Sequence, residues 1–250
     1  MPAASVRAAA GAVSFLTRIP VGRLLVVDGA DVARGSLLFP LVGAGVGALS
    51  GGVAVLSGRA LPDFVAAALA VGAGAIVTGA MHLDALADTA DATGAANRFD
   101  ALSIMRDSRI GSFGATALML DIVLKVGAVS TLLARDHALA ALIAAGALSR
   151  AASPALAALL PYPRVEGGPG SVLSGNTSHA AALAAIALGV GATLLLSLQG
   201  DYWLVLAAAC VVVPLGLIYR RWLGGATGDC LGAATEICET VVLVVACGVA

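Results

Sequence analysis

The sequence predicts an all-α fold: a polytopic integral membrane helical bundle of about seven transmembrane helices with its N-terminus in the cytoplasm. Three observations predict it. Of 250 residues, 60% are hydrophobic and 12% charged, with mean hydropathy +0.99, whereas soluble domains carry about 25% charged residues. Seven stretches of roughly 20 apolar residues, the length that crosses a bilayer, occupy 37–57, 62–81, 113–134, 138–160, 179–198, 202–219 and 232–250. The basic residues are also lopsided. With loops on alternate sides, Arg7, Arg18, Arg23, Arg34, Arg98, Arg106, Arg109, Arg164, Arg220 and Arg221 collect on one side and only Arg59 and Arg135 on the other, while Lys125 and Arg150 fall within spans. The positive-inside rule puts the larger group in the cytoplasm.

Taken in order, residues 1–36 form an interfacial or re-entrant N-terminal segment of a single membrane-embedded domain, 1–250. The run 8–16 behind Arg7 imitates a signal peptide, but T-R-I-P follows it in place of a small-residue cleavage site. Inside the spans, V-G-A-G-V-G-A and L-A-V-G-A-G-A supply small residues where helices approach closely in lipid. The 31 glycines therefore serve packing, and none forms the Gly-rich turn of a nucleotide-binding strand–helix unit. Cys210, Cys230, Cys238 and Cys247 lack C-x-x-C spacing and read as small apolar residues. A net charge of -1 and the absence of a basic run exclude nucleic acid as an expected partner.

Polar residues concentrate in two places. The loop 82–111 opens with H-L-D-A-L-A-D-T-A-D and continues through Arg98 to M-R-D-S-R-I-G-S-F-G at 105–114. Asp84, Asp88 and Asp91 follow i, i+4, i+7 spacing, so on a helix they form one carboxylate stripe. Like charges on adjacent turns repel, and a divalent cation with an anionic ligand, or arginine, relieves the repulsion. The oxygen-only donor set favours magnesium or manganese over zinc. The second place is 224–239, G-G-A-T-G-D-C-L-G-A-A-T-E-I-C-E, where Asp229, Glu236 and Glu239 share a helix face entering the last span. Both open on the same side and together hold six of the fifteen acidic residues. Candidate metal ligands are thus Asp84, Asp88, Asp91, Asp229, Glu236 and Glu239.

Arginine binds phosphate oxygens as a planar fork. Arg106 and Arg109, with Arg98, are the candidate partners of a diphosphate beside those carboxylates. Lys125 has Asp121 four residues before it; an intramembrane ion pair is the plain reading and a substrate contact the sharper one. Arg150, inside the fourth span, requires either a carboxylate or a substrate phosphate. The Pro- and Gly-rich loop around Arg164 is a candidate lid. His82 either supports the first aspartate or acts as a general base.

These motifs resemble those of the cobalamin synthase family, also called adenosylcobinamide-GDP ribazoletransferases. The resemblance rests on H-L-D-A-L-A-D-T-A-D, S-I-M-R-D-S-R-I-G-S-F-G and G-G-A-T-G-D-C-L-G-A-A-T-E-I-C-E in that order. It extends to F-L-T-R-I-P-V-G and F-P-L-V-G near the N-terminus, and so covers essentially the whole chain. Ala85 and Ala92 stand where the family pattern has glycine.

The resemblance implies a magnesium-dependent phosphotransferase of a bacterial inner membrane, multi-pass, with its active site facing the cytoplasm. It would join adenosylcobinamide-GDP to alpha-ribazole, or to its 5'-phosphate, releasing GMP in the last nucleotide-loop step of vitamin B12 synthesis. One or two Mg2+ ions would bridge the diphosphate, and a carboxylate would accept the ribose hydroxyl proton. Asp91 is the first choice by analogy with membrane alcohol phosphotransferases, with Asp88 and His82 as alternatives. Expected partners are the two substrates, the bilayer, and a second copy of the chain or neighbouring enzymes of the pathway. Two rival classes are a CDP-alcohol phosphotransferase, whose D-G-x-x-A-R is missing, and a cation-coupled transporter, against which the carboxylates gather at one face without a readable inverted repeat.

Overall fold

The computed structural model describes residues 3–21, 25–164, 166–196 and 200–249. Arg23 and Gly22, counted in the charge split and in the F-L-T-R-I-P-V-G motif, lie outside them. Eleven α-helices and no strands are found among the described residues.

The chain begins with a pair of short helices, α1 (Ala4–Leu16) and α2 (Gly29–Gly35). At 1.5 Å per residue α1 extends about 20 Å, short of the roughly 30 Å hydrocarbon layer. The pair is joined by Asp31, which is buried, accepts from Arg7 Nε at 3.3 Å and Arg34 Nη2 at 2.5 Å, and completes a capping box with Asp28.

α3 (Phe39–Gly58) and α8 (Ala138–Leu159) form the central seam. Gly43, Gly47 and Gly51 repeat every fourth residue, so they share one face of α3. A Cβ on Gly43 would strike the carbonyl of Gly146, and one on Gly47 the carbonyl of Leu142. Only glycine allows the two backbones to meet at this distance, and dispersion across the seam replaces the hydrophobic drive that lipid cannot supply. Gly45 and Gly52, off this face, have open space. The sequence pattern thus marked the small-residue span, and the contact resolves which glycines carry it. α8 is buried along most of its length.

Among the described residues, five helical stretches are long and apolar enough to cross a membrane: residues 29–58, α7 (Ser112–Leu133), α8, α10 (Asp201–Trp222) and α11 (Gly228–Val249). A bent pair makes six, and the expected span at 179–198 is met by a shorter apolar helix, α9 (His179–Leu195), of 17 residues. The bent pair corrects the expectation of a span at 62–81 followed by a cytoplasmic loop. α4 (Asp63–Thr78) and α5 (Met81–Ala92) meet at 90°. The break consists of Gly79 (φ 65°) and Ala80 (φ 56°), both left-handed. Such a conformation is free for glycine and strained for alanine, and Arg18 secures it, its amide donating to Val77 O at 2.7 Å while its guanidinium lies against Gly79. Residues 81–92 are helical because Ala85, Leu86, Ala87, Thr89 and Ala92 pack inward while the aspartates keep to another face.

α5 lies against α11 where Gly232 faces Ala85; a Cβ at 232 would come 2.5 Å from that of Ala85. The alanines that depart from the family pattern, Ala85 and Ala92, therefore sit in ordinary right-handed helix, where alanine stabilises relative to glycine by about 1 kcal/mol. All four cysteines are free.

Candidate active site

The loops expected on one side do meet at one end of the bundle. α6 (Arg98–Ile104), capped by Asn97, sets Arg98 against the 161–178 loop, where its Nη2 donates to Pro163 O at 3.1 Å. Arg106 Nη2 lies 2.8 Å from Glu166 Oε2, and Arg164 Nη2 donates to Leu102 O at 3.2 Å. The 161–178 segment is packed, not a free lid: Ala226 N donates to Pro161 O at 3.0 Å, and Leu173 is buried.

The six candidate carboxylates divide into two groups. Asp84, Asp88, Asp91 and Asp229 form the outer one, at the mouth between α5 and the start of α11. Asp88 lies within electrostatic reach of Asp84, Asp229, Asp91 and Arg164. Asp84 is exposed and Asp88 half-buried, and neither carboxylate has a hydrogen bond or ion pair among the described residues. Asp229 is 3.6 Å from Arg164 Nη2. Asp91 turns away, accepting from Gly111 N at 2.7 Å and Gly114 N at 2.8 Å.

Glu236 and Glu239 form the inner group with Lys125 and Arg150. Glu236 is eight residues past Gly228, so about 12 Å below the start of α11. Lys125 Nζ contacts Glu236, lies 3.1 Å from Glu239 Oε1 and 3.6 Å from Asp121 Oδ2. Arg150 pairs with Glu239 and Ser149, and Thr240 donates to Asp121. The ion pair expected for Lys125 and Asp121 is present, enlarged to five charged residues from α7, α8 and α11. Lys125, Arg150, Glu236 and Glu239 border a cavity of about 50 Å³ shared with Ser50 and Thr78, room for a few waters. His82 belongs to this inner layer: it is buried, feels Arg150, Glu236 and Lys125, and its Nδ1 has no hydrogen-bond partner.

Burying charges in lipid is costly unless each finds a partner, and here they do. The inner network ties α7, α8 and α11 to one another, while Asp84 and Asp88 of the outer group remain available. Arg164, read from sequence as part of a loop, has a side chain only 9% exposed and joins the outer group; the signal for it was its position beside the P-Y-P and G-G-P turns, which hold a charged residue in a fixed place. Arg109, 86% exposed, is bound bidentately by Asp107 at 2.5 to 3.1 Å. That contact lowers the Asp107 carboxyl to about 2 and raises the Arg109 guanidinium.

Among the described residues, no group of three or more His, Cys, Asp or Glu is arranged to hold a metal ion by protein alone. The outer donors are nevertheless all carboxylate oxygens, and those of Asp84 and Asp88 are free of other contacts among the described residues, whereas Asp91 is held by Gly111 and Gly114 and Asp229 lies beside Arg164. That suits magnesium, which uses one or two carboxylates, waters and substrate phosphates, and does not need a complete protein cage.

The cobalamin-5-phosphate synthase family model matches residues 8–247. The chain belongs to this family. An adenosylcobinamide-GDP ribazoletransferase of Klebsiella pneumoniae (strain 342) is 42% identical over 242 residues, covering 93% of this chain and 96% of the relative. One from Azorhizobium caulinodans is 40% identical over 254 residues, covering 93% and 92%, and one from Shigella flexneri is 38% identical over 236, covering 92% and 95%. No solved structure matches the chain. Membership of the family displaces the CDP-alcohol phosphotransferase and transporter readings.

Proposed function

We propose that this chain transfers the adenosylcobinamide phosphate of adenosylcobinamide-GDP to alpha-ribazole or its 5'-phosphate, releasing GMP, on the cytoplasmic face of a bacterial inner membrane. The observation that carries the site is the pair of unpartnered carboxylates, Asp84 and Asp88, facing Asp229 and Arg164 at the arginine-rich end.

In this reading Arg164, with Arg98, Arg106 and Arg109 around the mouth, binds phosphate oxygens of the diphosphate. Glu166 and Asp107, which hold Arg106 and Arg109 at the surface, are exchanged for substrate oxygens as the donor enters. Asp84 and Asp88, with Asp229, are the residues that would hold Mg2+, which when bound neutralises charge on the phosphate oxygens. The ribose hydroxyl of ribazole forms a new P–O bond at the phosphorus on the cobinamide arm, and the P–O bond to GMP breaks. Asp88, half-buried and without a partner, accepts the hydroxyl proton. His82, Lys125 and Arg150 act from beneath, holding the wall of the site, and do not reach substrate. A homo-oligomer, or an assembly with neighbouring pathway enzymes, would account for a membrane location with water-soluble substrates; failure to co-purify either after mild solubilisation counts against it.

The test is turnover by purified protein in detergent given adenosylcobinamide-GDP, alpha-ribazole and magnesium, with GMP and adenosylcobalamin followed by chromatography. Equimolar GMP and adenosylcobalamin are expected. No product from folded protein would reject the substrate assignment.

A further inference from the structure

We infer that Asp91 is a positioning residue. Its carboxylate caps α7 from a neighbouring helix and so fixes the arginine-bearing segment 98–110 across the mouth. It neither holds metal nor takes the substrate proton. The inference rests on the reading of that mouth as a diphosphate site.

Three observations carry it. Both carboxylate oxygens are engaged, Oδ2 by Gly111 N at 2.7 Å and Oδ1 by Gly114 N at 2.8 Å. Gly111 immediately precedes α7 and Gly114 lies in its first turn, so these are amides that a helix leaves without partners. α7 has no side-chain cap of its own, and a negative group at this end also meets the positive pole of the helix.

Next, the glycines are required by the aspartate. A Cβ at Gly111 would lie 2.9 Å from Asp91 Cγ, and one at Gly114 would lie 3.0 Å from Cγ and 2.9 Å from Ala87 O. The D-T-A-D and R-I-G-S-F-G motifs are therefore two halves of one contact.

Finally, the segment between them carries Arg98, Arg106, Asp107 and Arg109. Its α6 half is anchored by buried Ala101 and Met105, the latter meeting Thr227 Oγ1, and by contacts to Pro163, Glu166 and Arg164, whereas Asp107 to Ile110 is exposed or half-buried. The Asp91 lock closes this segment at its base.

The experiment compares Asp91→Asn, Asp91→Ala, Gly111→Ala and the double variant Asp91→Ala/Gly111→Ala in the full chain. It reads hydrogen exchange of residues 105–116, steady-state kcat and KM, and the magnesium midpoint. Asparagine keeps one acceptor and loses the other. Asp91→Asn should then speed exchange at 111–114 and raise KM for the GDP-linked donor by roughly 2- to 30-fold, the effect of losing a helix cap. The magnesium midpoint should not move. Gly111→Ala, which leaves the carboxylate but displaces it, should behave alike, and the double variant should be no worse than Asp91→Ala alone. A loss of about a hundredfold or more in kcat with normal exchange would make Asp91 the base, and a shifted magnesium midpoint would make it a ligand; either overturns the inference. Exchange reads the lock without substrate, so absence of wild-type turnover rejects the reaction and not the cap.

Discussion

Arg164 Nη2 stands 3.6 Å from Asp229 Oδ2 and donates to the carbonyl of Leu102 at 3.2 Å, so one side chain connects the 161–178 loop, α6 and the start of α11. It is the least exposed arginine at the mouth for which a contact to the acidic group exists. Arg164→Gln removes the charge and keeps a donor. We expect kcat/KM to fall by roughly 10- to 100-fold, as for a lost hydrogen bond to a charged group, with the folded protein retained by gel filtration in detergent. A change under threefold would place Arg164 outside the phosphate-binding set.

The buried network makes a prediction about stability. Lys125→Met leaves Glu236, Glu239 and Asp121 facing each other with Arg150 as the remaining cation. Removing one partner of a buried pair costs about 3 to 5 kcal/mol, while replacing both with apolar groups is often neutral. Lys125→Met should therefore lower the thermal midpoint in detergent far more than Lys125→Met/Glu236→Leu. Equal losses in the two variants would show that the charges are not coupled.

The α3–α8 seam gives a control within one helix. Gly47→Ala places a Cβ against the Leu142 carbonyl, whereas Gly45→Ala meets nothing within 4 Å. Overpacking of this kind costs about 1 to 3 kcal/mol, so Gly47→Ala should be destabilised and Gly45→Ala should match the parent. Unfolding by denaturant in mixed micelles reads the difference.

The Asp107–Arg109 contact has a defined pH dependence. Arg109 lowers the Asp107 carboxyl to about 2, against an unperturbed value near 3.9. A depressed carboxylate contributes fully above the unperturbed value and is lost as pH falls through the folded one. The contact's contribution to stability should be full above pH 4 and decline below it, and the contact should open as pH falls through about 2, the midpoint the Asp107 carboxyl resonance would report. An acid limb of turnover near pH 6 would then belong to other groups. Disappearance of the contact above pH 5 would contradict the geometry.

Much of this was legible in the residues. Hydropathy located the spans because lipid admits few polar residues, and arginine asymmetry grouped the loops that meet at the mouth. Two features were not legible. The break at Gly79 and Ala80 was hidden because α4 carries no charge after Asp63 and α5 is acidic on one face only, so the pattern reads as a span followed by a loop. The division of the carboxylates was hidden because i, i+7 spacing on α11 fixes a shared face but not depth. Asp229 lies at the helix start, while Glu236 and Glu239 lie two to three turns further in, beside Lys125 and Arg150 from helices distant in sequence.

The central claim is that Asp84 and Asp88 carry the magnesium-dependent chemistry. The most direct measurement is GMP release against magnesium concentration for the parent protein, Asp84→Asn and Asp88→Asn. We expect parent turnover to vanish with EDTA and return with added magnesium, and each variant to lose about a hundredfold or more in kcat with an unchanged thermal midpoint. Near-parent turnover in both variants, or turnover indifferent to EDTA, would contradict the account.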